Sequence, residues 1–121
     1  MSLPIITNLR DRKQFAELLQ ANPGLIIIKF GADWCGPCRM IEPDVMLGFH
    51  SMPDNVQCVI VDIDVSVDLY AYLKMKKMVN GVPVLLCYKK GNLSFVPDEA
   101  IGGPDSVKLH RFFQSCLEHL E

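Results

Sequence analysis

Cys35 and Cys38, separated by Gly36 and Pro37, are the residues of this chain best placed to do chemistry. They follow an apolar, strand-like run at residues 25–30 and stand at the predicted start of a helix. Cysteines at positions i and i+3 of a helical turn have Cβ atoms roughly 5–6 Å apart on one face. A disulfide needs about 3.5–4.5 Å between these atoms. A small adjustment therefore converts the dithiol into a disulfide, which favours a reversible two-electron couple.

The two sulfurs are predicted to differ in reactivity. Cys35 stands at the N-terminal end of the helix, where free backbone N–H groups and the helix dipole favour an anion, whereas Cys38 points more deeply. Because the thiolate is the reacting species, we expect Cys35 to be exposed and to have the lower pKa. Pro37 suits the first turn, where its missing N–H is no loss. We predict that Cys35 attacks and that Cys38 resolves.

Other uses of the pair are less well supported by the sequence. A structural zinc site needs four ligands, but there is no second C-x-x-C, and His50, His110 and His119 lack ligand spacing. Covalent haem attachment needs a histidine after the second cysteine, where Arg39 stands. A purely structural disulfide stays open, although so short a loop gains little stability from closure. We prefer a redox function without a metal.

Length and composition predict one globular domain spanning residues 1–121. Half of the residues are hydrophobic. The net charge of −2 does not favour binding to nucleic acid or to an anionic membrane. No stretch approaches the length of a membrane span, and residues 1–8 lack the pattern of a signal peptide. We expect a cytoplasmic monomer that binds neither nucleic acid nor membrane.

The remaining cysteines, Cys58, Cys87 and Cys116, each fall inside an apolar run. They are most simply interpreted as small buried hydrophobic residues. A secreted disulfide scaffold would be shorter and denser in cysteine, so a reducing compartment fits best. A regulatory or intermolecular role for one of these thiols is the alternative.

Alternating apolar patterns predict the elements that position the cysteine pair. Strand patterns occupy residues 4–7, 25–30, 57–62, 83–88 and 93–96. Helical patterns occupy residues 11–21, 35–52, 66–73 and 105–120. This order predicts an α/β fold with a central mixed sheet of about five strands flanked by four helices.

The chain resembles the thioredoxin family from about Thr7 to Leu120. The motif Trp34-Cys35-Gly36-Pro37-Cys38 is the most specific part of the likeness. Further matches are residues 32–41, 61–64 and 81–86, together with Pro43, Lys90-Gly91 and Gly102. The resemblance implies a thioredoxin fold and a thiol–disulfide oxidoreductase that reduces the disulfides of substrate proteins.

The resemblance also implies a mechanism. The Cys35 thiolate attacks the substrate disulfide, a mixed disulfide forms, and Cys38 expels the reduced substrate. No cofactor is implied beyond the redox-active Cys35–Cys38 disulfide, and electrons come from NADPH through thioredoxin reductase. Pro83 is expected to be cis and to face the cysteines, and Val82 to pair with the substrate backbone. The other groove residues implied are Trp34, Gly36, Pro37 and Gly102.

Lys29 departs from the family, which usually has a buried aspartate there that helps deprotonate the inner thiol. Ile60 stands where the family commonly has a lysine that neighbours this aspartate. Gly31 stands where many family members have a bulky aromatic residue. Lys29 either reaches water along a packed stem or stays near Cys38 and favours its thiolate; burial could also leave it neutral and able to act as a base. A unit charge about 7 Å away, at an effective dielectric of about 20, is worth about 2 kcal/mol. For a two-electron couple, this energy corresponds to a shift in redox potential of at most roughly 50 mV. The shift makes the protein more oxidising.

Two alternative functions remain at this point. A thioredoxin-fold binding or adaptor module with weak redox activity is compatible with Lys29, Gly31 and Ile60, because a fold does not fix a function. A disulfide isomerase or oxidase is opposed by Gly36 and Pro37, since resemblance to those families would usually place histidine between the cysteines.

Overall fold

The structure, a computed structural model, describes residues 2–120. Its elements in chain order are α1 (Arg12–Gln20), β1 (Leu25–Gly31), α2 (Gly36–His50), β2 (Val56–Asp62), α3 (Val67–Met75), β3 (Val84–Lys89), β4 (Glu99–Gly102) and α4 (Ser106–Glu118). The strands form one sheet in the order β2-β1-β3-β4. β1 is parallel to β2, and β3 is antiparallel to both β1 and β4. The predicted mixed sheet is confirmed.

β1 is buried along its whole length and separates two hydrophobic clusters. Ile26, Ile28 and Phe30 belong to the cluster that includes side chains of α1 and α3. Leu25 and Ile27 belong to the cluster that includes side chains of α2 and α4. A near-continuous apolar run is what a strand covered on both faces requires. The molecule is therefore a three-layer sandwich.

The four predicted helices are confirmed, and their ends lie within a few residues of the predicted ones. Each of α1 and α4 begins after an aspartate whose side chain accepts backbone N–H bonds from the first turn, Asp11 and Asp105 respectively. No helix within residues 2–120 is long and apolar enough to cross a membrane.

The number of strands is smaller than predicted. The sheet formed within residues 2–120 has four strands rather than about five. The N-terminal segment predicted at residues 4–7 contributes only one isolated parallel bridge, between Ile6 and Val59.

The strand predicted at residues 93–96 is wrong, and the strand that pairs with β3 lies further along, at β4. Side chains of Asn92 and Ser94 hold this segment in a loop. The Asn92 Nδ2–H group donates to the Val96 carbonyl over 2.9 Å, and Ser94 Oγ accepts from the Val96 N–H over 3.0 Å. Such local bonds occupy the backbone groups that a strand ladder would need.

The packing of α2 against α4 depends on Gly48. A Cβ atom on Gly48 would stand 2.5 Å from Cε2 of Phe113, so the aromatic ring occupies the space that a side chain would fill. The Phe113 ring also packs edge-on against Phe49, with ring centroids 6.0 Å apart. This contact fixes α2, whose first turn carries the cysteine pair, against α4.

Candidate active site

Cys35 occupies the N-cap position of α2, in the short connection that follows β1. Its backbone is extended, with φ −86° and ψ 104°, and the Cys38 N–H group donates to Cys35 Sγ over 3.1 Å. Pro37 lies in the first helical turn, where backbone N–H groups have no partner within the helix. A backbone N–H aimed at sulfur at a helix N-terminus stabilises the thiolate form of that sulfur.

The Sγ atoms of Cys35 and Cys38 are bonded to each other as a disulfide. Their Cα atoms lie 5.3 Å apart, within the range that disulfides use. The pairing predicted from the i, i+3 spacing is confirmed. Both residues belong to one turn of a helix, so the bond can open and close while β1 and the body of α2 keep their places.

The exposure expected for Cys35 is wrong in this disulfide state. Cys35 is 4% exposed and Cys38 is 3% exposed, so accessibility does not distinguish the two residues. The cover on Cys35 comes from the segment before β3, where the Val82 carbonyl oxygen lies 3.7 Å from Cys35 Sγ. What distinguishes the sulfurs is their surroundings, because Cys35 contacts Val82 whereas Cys38 lies beside Gly31.

Three of the predicted groove residues lie together on the β3–β4 side of the cysteine pair. The Val82–Pro83 peptide bond is cis, as expected. Pro83 is buried, and its carbonyl oxygen accepts a bond of 3.1 Å from the Gly103 N–H. Gly102 pairs with Val84 across β3 and β4, which brings it next to Pro83.

The other three predicted groove residues surround the start of α2. Trp34, Gly36 and Pro37 are all exposed, and Trp34 retains 64% of its accessible surface. The indole N–H of Trp34 donates to Asp64 Oδ2 over 2.8 Å. The sequence prediction missed Asp64 as a site residue. Its only signal was its place in the matched segment at residues 61–64.

Lys29 is buried in β1, with 7% exposure, between Ile60 of β2 and Leu85 of β3 in the strand register. Its Cε atom lies 3.5 Å from the point at which a Cβ on Gly31 would stand, and Cys38 Sγ lies 3.6 Å from the same point. Lys29 and the inner sulfur therefore both border the space beside Gly31.

The ammonium group of Lys29 has no salt-bridge partner in the part of the chain that the structure describes. Burial lowers the pKa of Lys29, and the carboxylate of Glu42 on α2 partly offsets this effect. A cavity of about 390 Å³ is lined by Lys29, Cys38 and Glu42 among others. A lysine without a salt-bridge partner among the described residues thus lines the same cavity as the cysteine that is predicted to resolve the mixed disulfide.

The three remaining cysteines are buried free thiols, as predicted. Burial, with a smaller contribution from Cys87, raises the pKa of Cys58 to about 12. A hydrogen bond with Cys87 and burial raise the pKa of Cys116. Both effects disfavour the nucleophilic thiolate. Within residues 2–120, no group of three or more His, Cys, Asp or Glu side chains is arranged to hold a metal ion.

Comparisons with known proteins extend the likeness well beyond the motif. The family profile described as Thioredoxin matches residues 6–115. Thioredoxin of Gallus gallus is 36% identical over 115 residues, which cover 93% of this chain and 96% of that protein. Thioredoxin-T of Drosophila melanogaster is 34% identical over 81% of this chain and 57% of that protein. The oxidised mitochondrial thioredoxin 3 of Saccharomyces cerevisiae superimposes with a TM-score of 0.71 at 26% identity, over 92% of this chain and 94% of that chain.

Proposed function

The chain belongs to the thioredoxin family and is a thiol–disulfide oxidoreductase, and from that premise we propose that it reduces protein disulfides with Cys35 as the nucleophile. The supporting observation is the placement of Cys35 at the N-cap of α2. There its sulfur accepts the Cys38 N–H bond and lies beside the Val82 carbonyl. The N-terminus of α2, which stabilises the thiolate, therefore lies next to a backbone group that can pair with a substrate.

The proposed reaction has two exchange steps. The Cys35 thiolate attacks one sulfur of the substrate disulfide, a Cys35–substrate disulfide forms, and the second substrate sulfur leaves as a thiolate. The Cys38 thiolate then attacks Cys35 Sγ, restores the Cys35–Cys38 disulfide and releases the first substrate sulfur. The dithiol loses two electrons and the substrate disulfide gains them.

The substrate-binding surface in this proposal is a groove across the cysteine pair, lined by Trp34, Gly36, Pro37, Val82, Pro83 and Gly102. An extended substrate segment pairs with the backbone of Val82, in the way that a peptide adds to an exposed strand edge. Trp34 offers a large, exposed aromatic surface beside the reacting sulfur.

Lys29 has a supporting role in the second step. Its side chain borders the same space beside Gly31 as Cys38 Sγ, and its ammonium group has no carboxylate within salt-bridge distance among residues 2–120. A nearby positive charge favours the thiolate form of Cys38, which is the form that attacks the mixed disulfide. Lys29 thus modulates the pKa of the resolving thiol in place of a buried aspartate.

We further propose how the protein receives its electrons and where it acts. The Cys35–Cys38 pair carries the two electrons in its dithiol form and becomes a disulfide when it delivers them, so no bound cofactor is required. NADPH reduces the disulfide through a thioredoxin reductase. The protein acts as a single-domain monomer in the cytoplasm. Its partners are disulfide-containing proteins and the reductase, not nucleic acid or membranes.

The test is reduction of insulin disulfides by protein that has been reduced with dithiothreitol. Cys35→Ser should abolish the reaction, and Cys38→Ser should trap substrates as mixed disulfides. Cys58→Ala, which removes a thiol outside the site, should stay active. Equal activity of the original protein and Cys35→Ser would refute the proposal. NADPH oxidation in the presence of thioredoxin reductase tests the electron supply.

A further inference from the structure

Residues 69–97, which include Val82 and Pro83 of the proposed groove, carry charge of one sign only. They contain five lysines and no aspartate or glutamate, although the whole chain has 14 acidic residues against 12 lysines and arginines. Three of these lysines are exposed and lie at or just beyond the end of α3: Lys74, Lys76 and Lys77. We call them the α3 lysines.

The charges of the α3 lysines are free to meet a partner, because none of these side chains has a carboxylate within salt-bridge distance among residues 2–120. We propose that the α3 lysines bind carboxylate groups close to the disulfide of a substrate protein, so that the protein prefers disulfides with acidic flanking residues. This inference rests on the proposed function and adds to it the class of substrate.

Aromatic rings hold two of the ammonium groups in place. Lys74 Nζ lies 5.7 Å from the centre of the Tyr70 ring, and Lys76 Nζ lies 5.3 Å from the centre of the Phe95 ring. A cation over the face of an aromatic ring is attracted to it. Tyr70 and Phe95 pack against the same hydrophobic cluster as Val82. The two lysines therefore lie on the side of the molecule that carries the groove residue Val82.

Lys77 occupies a backbone conformation that favours glycine. It has φ 63° and is the only residue other than glycine with a positive φ among residues 2–120. The Lys77 N–H donates to the Lys74 carbonyl over 3.0 Å, and the Met78 N–H donates to the Leu73 carbonyl over 2.8 Å. This is the Schellman arrangement that ends many helices, usually with glycine at the position of Lys77. Lys77→Gly therefore removes the charge and suits the turn better.

The α3 lysines are within reach of a substrate segment that pairs with Val82. Lys77 is five positions before Val82, so the chain between them spans at most about 18 Å, and an extended substrate segment of similar length covers the same distance. The Trp34 side of the groove has the opposite charge, because Asp33 precedes Trp34 and Asp64 accepts its indole N–H. An acidic segment is attracted to one side and repelled from the other, which favours one orientation.

The test compares two disulfide peptides that differ only in the residues flanking the disulfide, glutamate in one and glutamine in the other. The rate of reduction by the reduced protein is divided by the rate with dithiothreitol, which corrects for the intrinsic reactivity of each peptide. At about 20 mM salt the glutamate peptide should react roughly tenfold faster than the glutamine peptide. At about 0.5 M salt the two corrected rates should agree, because salt screens charges at the surface.

Variants locate the source of the preference. Lys76→Gln combined with Lys77→Gly should lower the ratio of the corrected rates at low salt from roughly tenfold to about threefold, because fewer lysines attract the substrate. The matched control is Lys89→Gln combined with Lys90→Gln, which removes two exposed lysines at the other end of β3. The control should keep the full ratio.

Equal corrected rates for the two peptides at low salt overturn this inference alone, as does a ratio that is the same in the double variant of the α3 lysines and in the original protein. If circular dichroism shows that the double variant does not fold, Lys77→Gly by itself should lower the ratio about twofold, and an unchanged ratio there also overturns the inference. Reduction of neither peptide refutes the proposed function, and this inference with it.

Discussion

Trp34 and Asp64 are joined by a hydrogen bond of 2.8 Å from the indole N–H to Oδ2 of the carboxylate. Asp64 follows the end of β2, and its own N–H group donates to Oδ1 of Asp62 over 2.9 Å. The bond therefore links the aromatic residue of the cysteine motif to a turn that is itself fixed. Trp34 is oriented although 64% of its surface is exposed, which lowers the entropic cost of binding a substrate against it.

Asp64→Ala should weaken protein-disulfide reduction by releasing Trp34. Because this bond is exposed to solvent, it contributes about 0.5–1.5 kcal/mol, so kcat/KM for insulin should fall roughly two- to tenfold. Trp34 is the single tryptophan of the chain, and its fluorescence anisotropy should fall as the indole becomes more mobile. Asp64→Asn keeps an acceptor oxygen and should keep most of both signals. Unchanged anisotropy in Asp64→Ala would show that the bond does not orient the ring.

The cysteine pair and the buried strand before it follow from the sequence because both depend on local properties. The i, i+3 spacing of Cys35 and Cys38 fixes their separation on one helical turn. The apolar run of β1 needs cover on both faces, wherever the covering helices come from. The family resemblance added the cis peptide before Pro83, which no local pattern indicates.

The features that the sequence did not predict join distant parts of the chain. The carbonyl that covers Cys35 belongs to Val82, 47 positions away, and the partner of Trp34 is Asp64, 30 positions away. Such contacts depend on how the sheet aligns its strands, which apolar patterns do not encode. The strand predicted at residues 93–96 failed for a different reason, because side-chain bonds of Asn92 and Ser94 outweighed its apolar pattern.

Gly48→Ala should destabilise the protein even though alanine favours helices. The added Cβ would stand 2.5 Å from the Phe113 ring, and overpacking of a core typically costs about 1–3 kcal/mol. Urea unfolding followed by circular dichroism measures the change in the free energy of unfolding. Adding Phe113→Leu should recover part of the loss caused by Gly48→Ala, because the smaller side chain makes room for the methyl group. Equal or greater stability of Gly48→Ala would contradict the packing argument.

Cys58, Cys87 and Cys116 should resist alkylation in the folded protein. They are at most 3% exposed, and the raised pKa of Cys58, about 12, leaves little thiolate at pH 8. After reduction, iodoacetamide treatment and peptide mass spectrometry should find these three unmodified, and modified only when urea is added. Modification of any of them at the rate of Cys35 would show that its part of the core opens readily.

Lys29→Met should stabilise the fold at neutral pH, and the gain should shrink as the pH rises. Burial lowers the pKa of Lys29, so the unfolded chain holds this proton more tightly than the folded chain does. The cost of the buried charge is fully present below the lowered pKa, and it disappears toward the unfolded value of about 10.4. Urea unfolding of both proteins at pH 7 and pH 10 measures the difference, expected to be about 1 kcal/mol at pH 7. A difference that does not change with pH would contradict burial of a charged Lys29.

Replacing Lys29 should also shift the redox couple of Cys35 and Cys38. A positive charge that favours the Cys38 thiolate stabilises the reduced protein, so its loss in Lys29→Met should make the couple more reducing, by at most roughly 50 mV. Lys29→Asp should shift it in the same direction and further, because a carboxylate beside Cys38 disfavours the thiolate. Equilibration with glutathione buffers, read by alkylation of the free thiols, gives the three potentials. The rate of insulin reduction in each variant tests the resolving step. If the potentials and the rates of all three proteins agree, the side chain at position 29 has no part in the chemistry of Cys38.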